Sequence, residues 1–349
     1  MSGLSLADSF RRLIENTGPI SLQHFMGEAN ARYYSTRDPL GSAGDFITAP
    51  EISQMFGELV GLWLADLWIR AGRPEPAMYV ELGPGRGTLA RDALRAMARY
   101  GLVPEVHLVE GSVELKRLQL EQVPRAEFHD DLSRLPLEGP VLLVANEFLD
   151  ALPVRQLVRT EAGWRERLVG LDDQGQFIFI SGGQPMDMAV QEARREAPLG
   201  TIIETCPAAA SAVFEVAGRL AQQGGAALFI DYGHDRWRTG STLQAVKAHR
   251  KVSPFDLIGQ ADLTAHVDFA TLADIARSRE ARVLGIRTQG AWLRSLGIDA
   301  RAEALAGFAP QHREALFAAR DRLVEPDQMG DLFKVLGLAA PNWPDAVGF

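Results

Sequence analysis

Between Met78 and Val144 the sequence alternates short apolar runs with helical stretches, and the first run opens into a loop dense in glycine. Met78-Tyr79-Val80-Glu81-Leu82 reads as a strand, Gly83-Pro84-Gly85-Arg86-Gly87 as a turn, and the residues to about Tyr100 as a helix. Val106–Val109, Ala126–His129 and Val141–Val144 repeat the strand signal, with a helix over Ser112 to Gln122 between the first two. Short apolar runs without polar alternation are strands buried on both faces, and strands linked by helices run parallel with right-handed crossovers. The rhythm therefore predicts an α/β fold with a doubly wound, mostly parallel, Rossmann-like sheet. Ligands of such a sheet sit beyond the carboxyl ends of its strands, so the loops after the strands are the places to look for function.

The next strand of this kind, Ala227–Ile230, comes only after a long interval. Alternating stretches at Val154–Arg159, Trp164–Val169 and Phe177–Ile180 read as antiparallel hairpins, and Ala208 to Gln222 as a helix. Ahead of the core, Ser5 to Glu15 reads as a short amphipathic helix stopped by Gly18-Pro19, and Ser21 caps a second helix to about Arg32. Ile52, Phe56, Leu59, Val60, Trp63, Leu64, Leu67 and Trp68 recur at helical spacing and read as core. Thr242–Ala248, a helix from Asp268 to Arg279, the strand Arg282–Arg287 and a closing strand Leu332–Leu336 complete the chain. The expected division is an N-terminal helical segment and lid over 1–75, the first half of the core over 76–153, an inserted hairpin and helical subdomain over the substrate crevice at 154–225, and the second half of the core with C-terminal additions over 226–349.

Among 349 residues, 36 Lys and Arg face 45 Asp and Glu, for a net charge of −9. That balance argues against nucleic acid or an anionic membrane as a partner. The single cysteine, Cys206, excludes an intrachain disulfide and a thiolate metal cluster. The longest strongly apolar stretch, Phe56 to Ile69, carries Glu58 and Asp66 and falls short of the ~20 residues that span a bilayer, so an integral membrane protein is not expected. Residues 1–15 lack a continuous apolar signal segment, which makes the cytoplasm the expected setting, or the mitochondrial matrix for a processed form.

The glycine loop discriminates between cofactors. A dinucleotide fingerprint G-x-G-x-x-G would need glycine at position 88, where Thr88 stands. The pattern present is Glu81-x-Gly83-x-Gly85-x-Gly87, which suits S-adenosyl-L-methionine (SAM) better. SAM has no pyrophosphate to set on a helix N-terminus; it carries an ammonium that Glu81 would hold, directly or through water. Glu110 ends the second strand about 27 residues beyond Gly83, where an acid accepts hydrogen bonds from ribose hydroxyls. Asp130 and Asp131 follow the third strand, where the adenine amino group is read; which of them does so is open, and one is equally placed to start the next helix.

The loop after the fourth strand is Asn146-Glu147-Phe148-Leu149-Asp150-Ala151-Leu152-Pro153. It lies at the reactive end of the cofactor, and in a helical turn Glu147 and Asp150 share a face. Methyl transfer from a sulfonium is an in-line displacement that asks for alignment and exclusion of water, and needs no metal or covalent nucleophile. Asn146, Glu147 and Asp150 are thus the candidate catalytic groups, and paired carboxylates suit a cationic acceptor such as a guanidinium. The plainer alternative has Asp150 capping a helix and Glu147 solvated.

On these loops the chain resembles the MidA-like family of SAM-dependent methyltransferases, whose mitochondrial member is an arginine methyltransferase and assembly factor of respiratory complex I. Gly44–Ser53, Asp231-Tyr232-Gly233 and Asp262–Phe269 carry the resemblance together with Glu81–Gly87 and Asn146–Pro153. The resemblance implies the class I methyltransferase fold and symmetric dimethylation of an arginine on a quinone-module subunit of complex I, a protein substrate, with SAM as donor. Gly83, Gly85 and Gly87 would wrap the methionine part of SAM, and Glu110 would hold its ribose. Gly44, Asp45, Phe46 and Thr48 would belong to a lid over the cofactor. Asp231, His266 and Asp268 would border the substrate crevice, with capping or core hydrogen bonding as the alternative for all three. Cys206 lies in the family-like stretch Glu204–Pro207 without a role that follows from its chemistry. The rival functions are a non-catalytic SAM-binding assembly factor, a class I methyltransferase with another acceptor, and an NAD-dependent oxidoreductase.

Overall fold

The computed structural model describes residues 5–36, 47–248 and 250–349, with the backbone alone at 35 and 36. They divide into two compact units, one holding the described residues of 40–149, 210–236 and 267–349, the other those of 1–39, 150–209 and 237–266. This differs from the expected division, because the N-terminal helices and the insertion share one unit.

The larger unit is built on β1 (Met78–Leu82), β2 (Glu105–Val109), β3 (Glu127–His129), β4 (Val141–Asn146), β5 (Gly225–His234), β6 (Arg282–Thr288) and β7 (Phe333–Ala339), arranged in the order β6-β7-β5-β4-β1-β2-β3. The five strands from β5 to β3 are parallel, while β7 runs antiparallel between β5 and β6. A two-residue strand, Val267–Asp268, pairs parallel with the end of β5. Every residue of β1 and β4 is buried, as a sheet covered on both faces requires. Leu82 pairs with Ala145 and Asn146 with Ile230, so the loops after β1 and β4 leave the sheet side by side, next to the second half of β5.

Two helices of this unit meet without side chains between them. Gly57 and Gly61 lie one turn apart on the helix Gln54–Arg70, facing the helix Thr88–Ala98. A Cβ at Gly61 would stand 2.3 Å from the carbonyl oxygen of Ala93, and one at Gly57 would stand 2.7 Å from Cβ of Asp92. On the same helix Glu58 is buried and held by Arg301, at 2.8 and 2.9 Å, and by Arg95 at 3.2 Å. The bidentate arginine offsets the desolvation of that carboxylate.

In the smaller unit Ser5 caps the helix Leu6–Thr17, and Ser21, as expected, accepts from the N–H of His24 at the start of Leu22–Thr36. The short strand Ile20–Ser21 joins the edge of the insertion's antiparallel sheet, pairing Ile20 with Val169 and Ser21 with Leu168. The hairpin strands Arg155–Thr160, Gly163–Leu171 and Phe177–Pro185 are present, and Ile202–Thr205 pairs with the first. A separate three-stranded sheet contains Gln244–Lys247, Arg250–Val252 and Asp262–Thr264. Phe10, Phe25, Phe177 and Phe255 pack ring against ring in the core, and buried Asn30 fastens it by bonding the carbonyls of Ala151 and Leu263 and the N–H of Leu263. No helix among the described residues is long and apolar enough to cross a membrane.

Gly61→Ala sets two effects against each other. Helix propensity favours alanine by about 1 kcal/mol, whereas forcing a methyl group into a backbone contact costs about 1–3 kcal/mol and shifts the helices apart. The clash at 2.3 Å is with main chain, which has no rotamer to yield, so the variant is expected to be less stable, with a lower urea midpoint and an unchanged slope. An equal or higher midpoint would show that the two helices separate freely.

Candidate cofactor and active site

The turn after β1 is shaped by left-handed backbone at alternate residues: φ is +60° at Gly83, +55° at Gly85 and +83° at Gly87. Side chains at such positions are strained, so the three glycines answer to conformation before any ligand is considered. The N–H of Gly83 bonds the carbonyl of Val109 at 3.1 Å, tying the turn to the end of β2. Just beyond, Glu110 accepts from the Ser112 N–H at 2.8 Å on one oxygen and from Gln119 Nε2 at 3.1 Å on the other. Gln119 Nε2 also donates to the carbonyl of Gly85 at 2.7 Å. An ionised carboxylate has about four lone-pair sites, so both oxygens of Glu110 keep capacity for ribose hydroxyls. Gln119 escaped the sequence reading. Its signal was a polar residue one turn after Leu115 on the buried face of the helix Val113–Gln122.

Glu81 points into the unit and is almost wholly buried, accepting a 2.5 Å hydrogen bond from the Tyr79 hydroxyl. Desolvation pushes its pKa up to about 8, against the opposing effect of the Tyr79 bond. The acid expected to meet an ammonium is therefore mostly neutral at pH 7 before a cation arrives.

In the loop after β4, Glu147 adopts φ +52°, a left-handed conformation uncommon for a residue with a side chain. Its N–H bonds the carbonyl of Ile230 at 2.9 Å, and its Oε1 accepts from the Ala49 N–H at 2.8 Å and from Asn146 Nδ2 at 3.1 Å. Asn146 Oδ1 is buried without a hydrogen-bond partner. Phe148 lies against Gly83, where a Cβ would come within 2.7 Å of its ring. Asp231 is buried, accepting from the N–H groups of Leu149 and Tyr232, each at 2.9 Å, and so pins the β4 loop to β5.

Several expectations change. The segment after Glu147 is bends and turns, not a helix, because the left-handed residue breaks the helical path; Glu147 and Asp150 do not share a helix face. Asp150 belongs to the smaller unit, where its carbonyl accepts from the Ala265 N–H at 3.0 Å and its charge helps raise the Tyr34 pKa. Asp131 caps the short helix Leu132–Arg134, and Asp130 is exposed beside Lys116 at 3.2 Å. Asp268 caps the helix Phe269–Ser278 through Thr271. His266 lies in the smaller unit, its N–H bonded to Thr242 Oγ1 at 2.8 Å. The Cys206 thiol approaches the carbonyls of Leu152 and Pro153, and burial raises its pKa. Gly44, Asp45 and Phe46 lie outside the described residues; Thr48 precedes the helix Ala49–Ile52, whose Glu51 accepts from the Thr88 hydroxyl.

The larger unit thus offers a glycine turn, a partly satisfied carboxylate at Glu110, a buried acid with a raised pKa at Glu81 and an unpartnered amide oxygen at Asn146. Residues 59–287 match the family described as S-adenosyl-L-methionine-dependent methyltransferases. The chain belongs to that family. SAM is its cofactor, and the dinucleotide alternative is set aside. The methyltransferase is 37% identical over 365 residues to the mouse mitochondrial protein arginine methyltransferase NDUFAF7, covering 93% of this chain and 82% of that protein. The human relative of the same name is 36% identical, at 93% and 81% coverage. A structure from Burkholderia thailandensis described as a methyl transferase and bound to S-adenosyl-homocysteine superposes with TM-score 0.84 at 30% identity, over 96% of this chain and 92% of that one.

Glu81 makes stability depend on pH. Its folded pKa lies above the ordinary 4.5, so its contribution is fully present below about 4.5 and is lost as pH rises through about 8. Glu81→Gln keeps an acceptor for Tyr79 and removes the titration. The wild type, measured without SAM by urea unfolding from pH 5 to 9, is expected to lose a few kcal/mol relative to that variant, on the order implied by a shift of several pKa units. Parallel curves for the two proteins would mean that Glu81 ionises inside the fold without cost.

Proposed function

We propose that this methyltransferase transfers methyl groups to arginine on a protein partner, and that the specific reaction is symmetric dimethylation of a quinone-module subunit during assembly of respiratory complex I. The names of the relatives support an arginine acceptor. The observation that carries the reading is the pair Asn146 and Glu147: a buried amide oxygen without a partner beside a carboxylate fixed by the Ala49 N–H. A guanidinium presents five N–H donors in a plane and matches such a pair of acceptors. The mitochondrial names also support the matrix as the setting, the cytoplasm being that of a bacterial-type chain.

In this reading Gly83, Gly85 and Gly87 lie along the methionine part of the cofactor, Glu81 receives its ammonium, and Glu110 its ribose. Asp130 reads the adenine, since Asp131 is engaged as a cap. Bound SAM supplies an electrophilic methyl group on a sulfonium. A guanidinium loses one proton as its nitrogen gains the methyl group, so the products are a methylguanidinium, a thioether and a proton. Glu147 accepts hydrogen bonds from the guanidinium, turns the reacting nitrogen toward the methyl group and takes up that proton. Asn146 Oδ1 holds a second N–H. Asp231 keeps the loop in place. Asp268 borders the acceptor's path, and Thr48 lies toward the cofactor.

Calorimetry with SAM tests the pocket. Glu110→Ala is expected to weaken binding about 10- to 100-fold, the scale of one or two lost charge-assisted hydrogen bonds. Gly85→Val, which forces a β-branched residue to φ +55°, is expected to abolish it while far-UV circular dichroism stays native. Unchanged affinity in both variants would remove the pocket.

Glu147→Gln tests the chemistry. SAM affinity should stay within about threefold, while turnover falls about 100-fold or more, the range of a lost general base. Incubation with labelled SAM and a lysate lacking the enzyme, followed by mass spectrometry, identifies the acceptor; label on lysine or on a small molecule would overturn the arginine assignment.

A further inference from the structure

Two neighbouring strands carry the same short pattern, Glu105-Val106-His107 on β2 and Glu127-Phe128-His129 on β3. Alternate residues of a strand face one side, and the parallel register sets His107 beside Glu127, so all four polar side chains share one face of the sheet. His107 Nδ1 lies 3.0 Å from His129 Nε2 and 3.8 Å from a carboxylate oxygen of Glu127. One ligand atom from each of the three residues falls within 4.8 Å of the others. Neither the methyl-transfer chemistry nor the cofactor pocket uses these groups.

We propose that His107 Nδ1, His129 Nε2 and the Glu127 carboxylate bind a divalent transition ion of the zinc class, with Glu105 orienting His107. An ion with four tetrahedral bonds of about 2.0–2.1 Å places its donors roughly 3.3–3.4 Å apart, and the observed 3.0 and 3.8 Å bracket that spacing. Two imidazoles and a carboxylate suit zinc, and water completes the fourth position. His107 Nε2 supplies a second, independent observation. It is buried without a hydrogen-bond partner, 3.9 Å from a carboxylate oxygen of Glu105. If the two imidazoles merely shared a proton, that nitrogen would stay unpaired in either tautomer. With an ion on Nδ1, the proton sits on Nε2, facing the Glu105 carboxylate, the arrangement by which outer carboxylates fix metal-bound histidines.

The surrounding charge is mixed. Glu127, Asp130 and Asp131 act on His129 with a sign that favours a cation, and Arg219 opposes them. The Arg219 guanidinium is paired with Glu215 at 3.0 Å and bonded to the carbonyls of Leu132 and Pro136, which reduces its effect. β3 has three residues and pairs with β2 alone among the described strands. The Glu110 N–H bonds the carbonyl of His129 at 3.1 Å. An ion here staples the edge strand just below Glu110 and Asp130, and its role is structural.

Metal-free wild-type protein is titrated with Zn²⁺ by calorimetry and with Co²⁺ by visible absorption. One ion per chain is expected, with the strong absorption of tetrahedral cobalt and a higher melting temperature with Zn²⁺. His129→Gln and Glu127→Gln, at partly and largely exposed positions, should each weaken binding at least about tenfold with unchanged far-UV circular dichroism. Binding well below one ion per chain, or one-to-one binding that survives both variants and so belongs elsewhere on the chain, overturns the site. Neither result depends on the identity of the methyl acceptor.

Discussion

The Gln119 side chain joins the glycine turn to the acid at the end of β2, donating from one nitrogen to the Gly85 carbonyl and to Glu110. Three alternate residues with positive φ make a turn that a free chain rarely visits, and glycine loses more freedom than any other residue when held there. The turn therefore needs fastening, and the two observed fasteners come from outside it: the Gln119 amide and the Val109 carbonyl. Both lie on the β2 segment and the helix after it. The glycine turn and Glu110 are thus set as one piece, which is why a half-buried strand end can hold a carboxylate at a fixed place.

The β4 loop repeats the device with a different residue. Glu147 takes the left-handed conformation without being glycine, at a cost on the order of 1–3 kcal/mol. Its main-chain bond to Ile230, the Asp231 bond to Leu149 and the Ala49 N–H on its carboxylate over-determine that shape. Buried Asp231 thus contributes by holding the loop, a use that its place at the end of β5 does not reveal by itself.

The strands, their mostly parallel run and the glycine turn were legible because their signals are local: a run of apolar residues, a glycine spacing, a serine before a helix. What escaped was non-local or conformational. Ile20 and Ser21 pair with residues of the insertion far along the chain, and two residues leave no periodicity to read, so the N-terminal helices read as a segment of their own. The Glu147–Asp150 spacing looked helical, but no spacing rule registers a single residue with positive φ. Asp130 and Asp131 were indistinguishable as adjacent acids; the Ser133 N–H separates them by taking Asp131 as its cap. Gln119 was hidden inside a helix whose register alone marked it as buried.

Glu81 and Glu147 are carboxylates held in two different ways, and in the proposed function each meets a cation. A buried anion without a counter-ion is expensive, and Glu81 avoids that cost by staying protonated, with the Tyr79 hydroxyl on one oxygen. A cation entering beside it releases the proton, so the charge appears only when it is matched. Glu147 instead lies under two N–H donors, which hold its oxygen in one place. The first arrangement suits binding, where the gain must exceed the cost of an empty pocket. The second suits the role proposed for Glu147, where the group must already be oriented when the acceptor arrives.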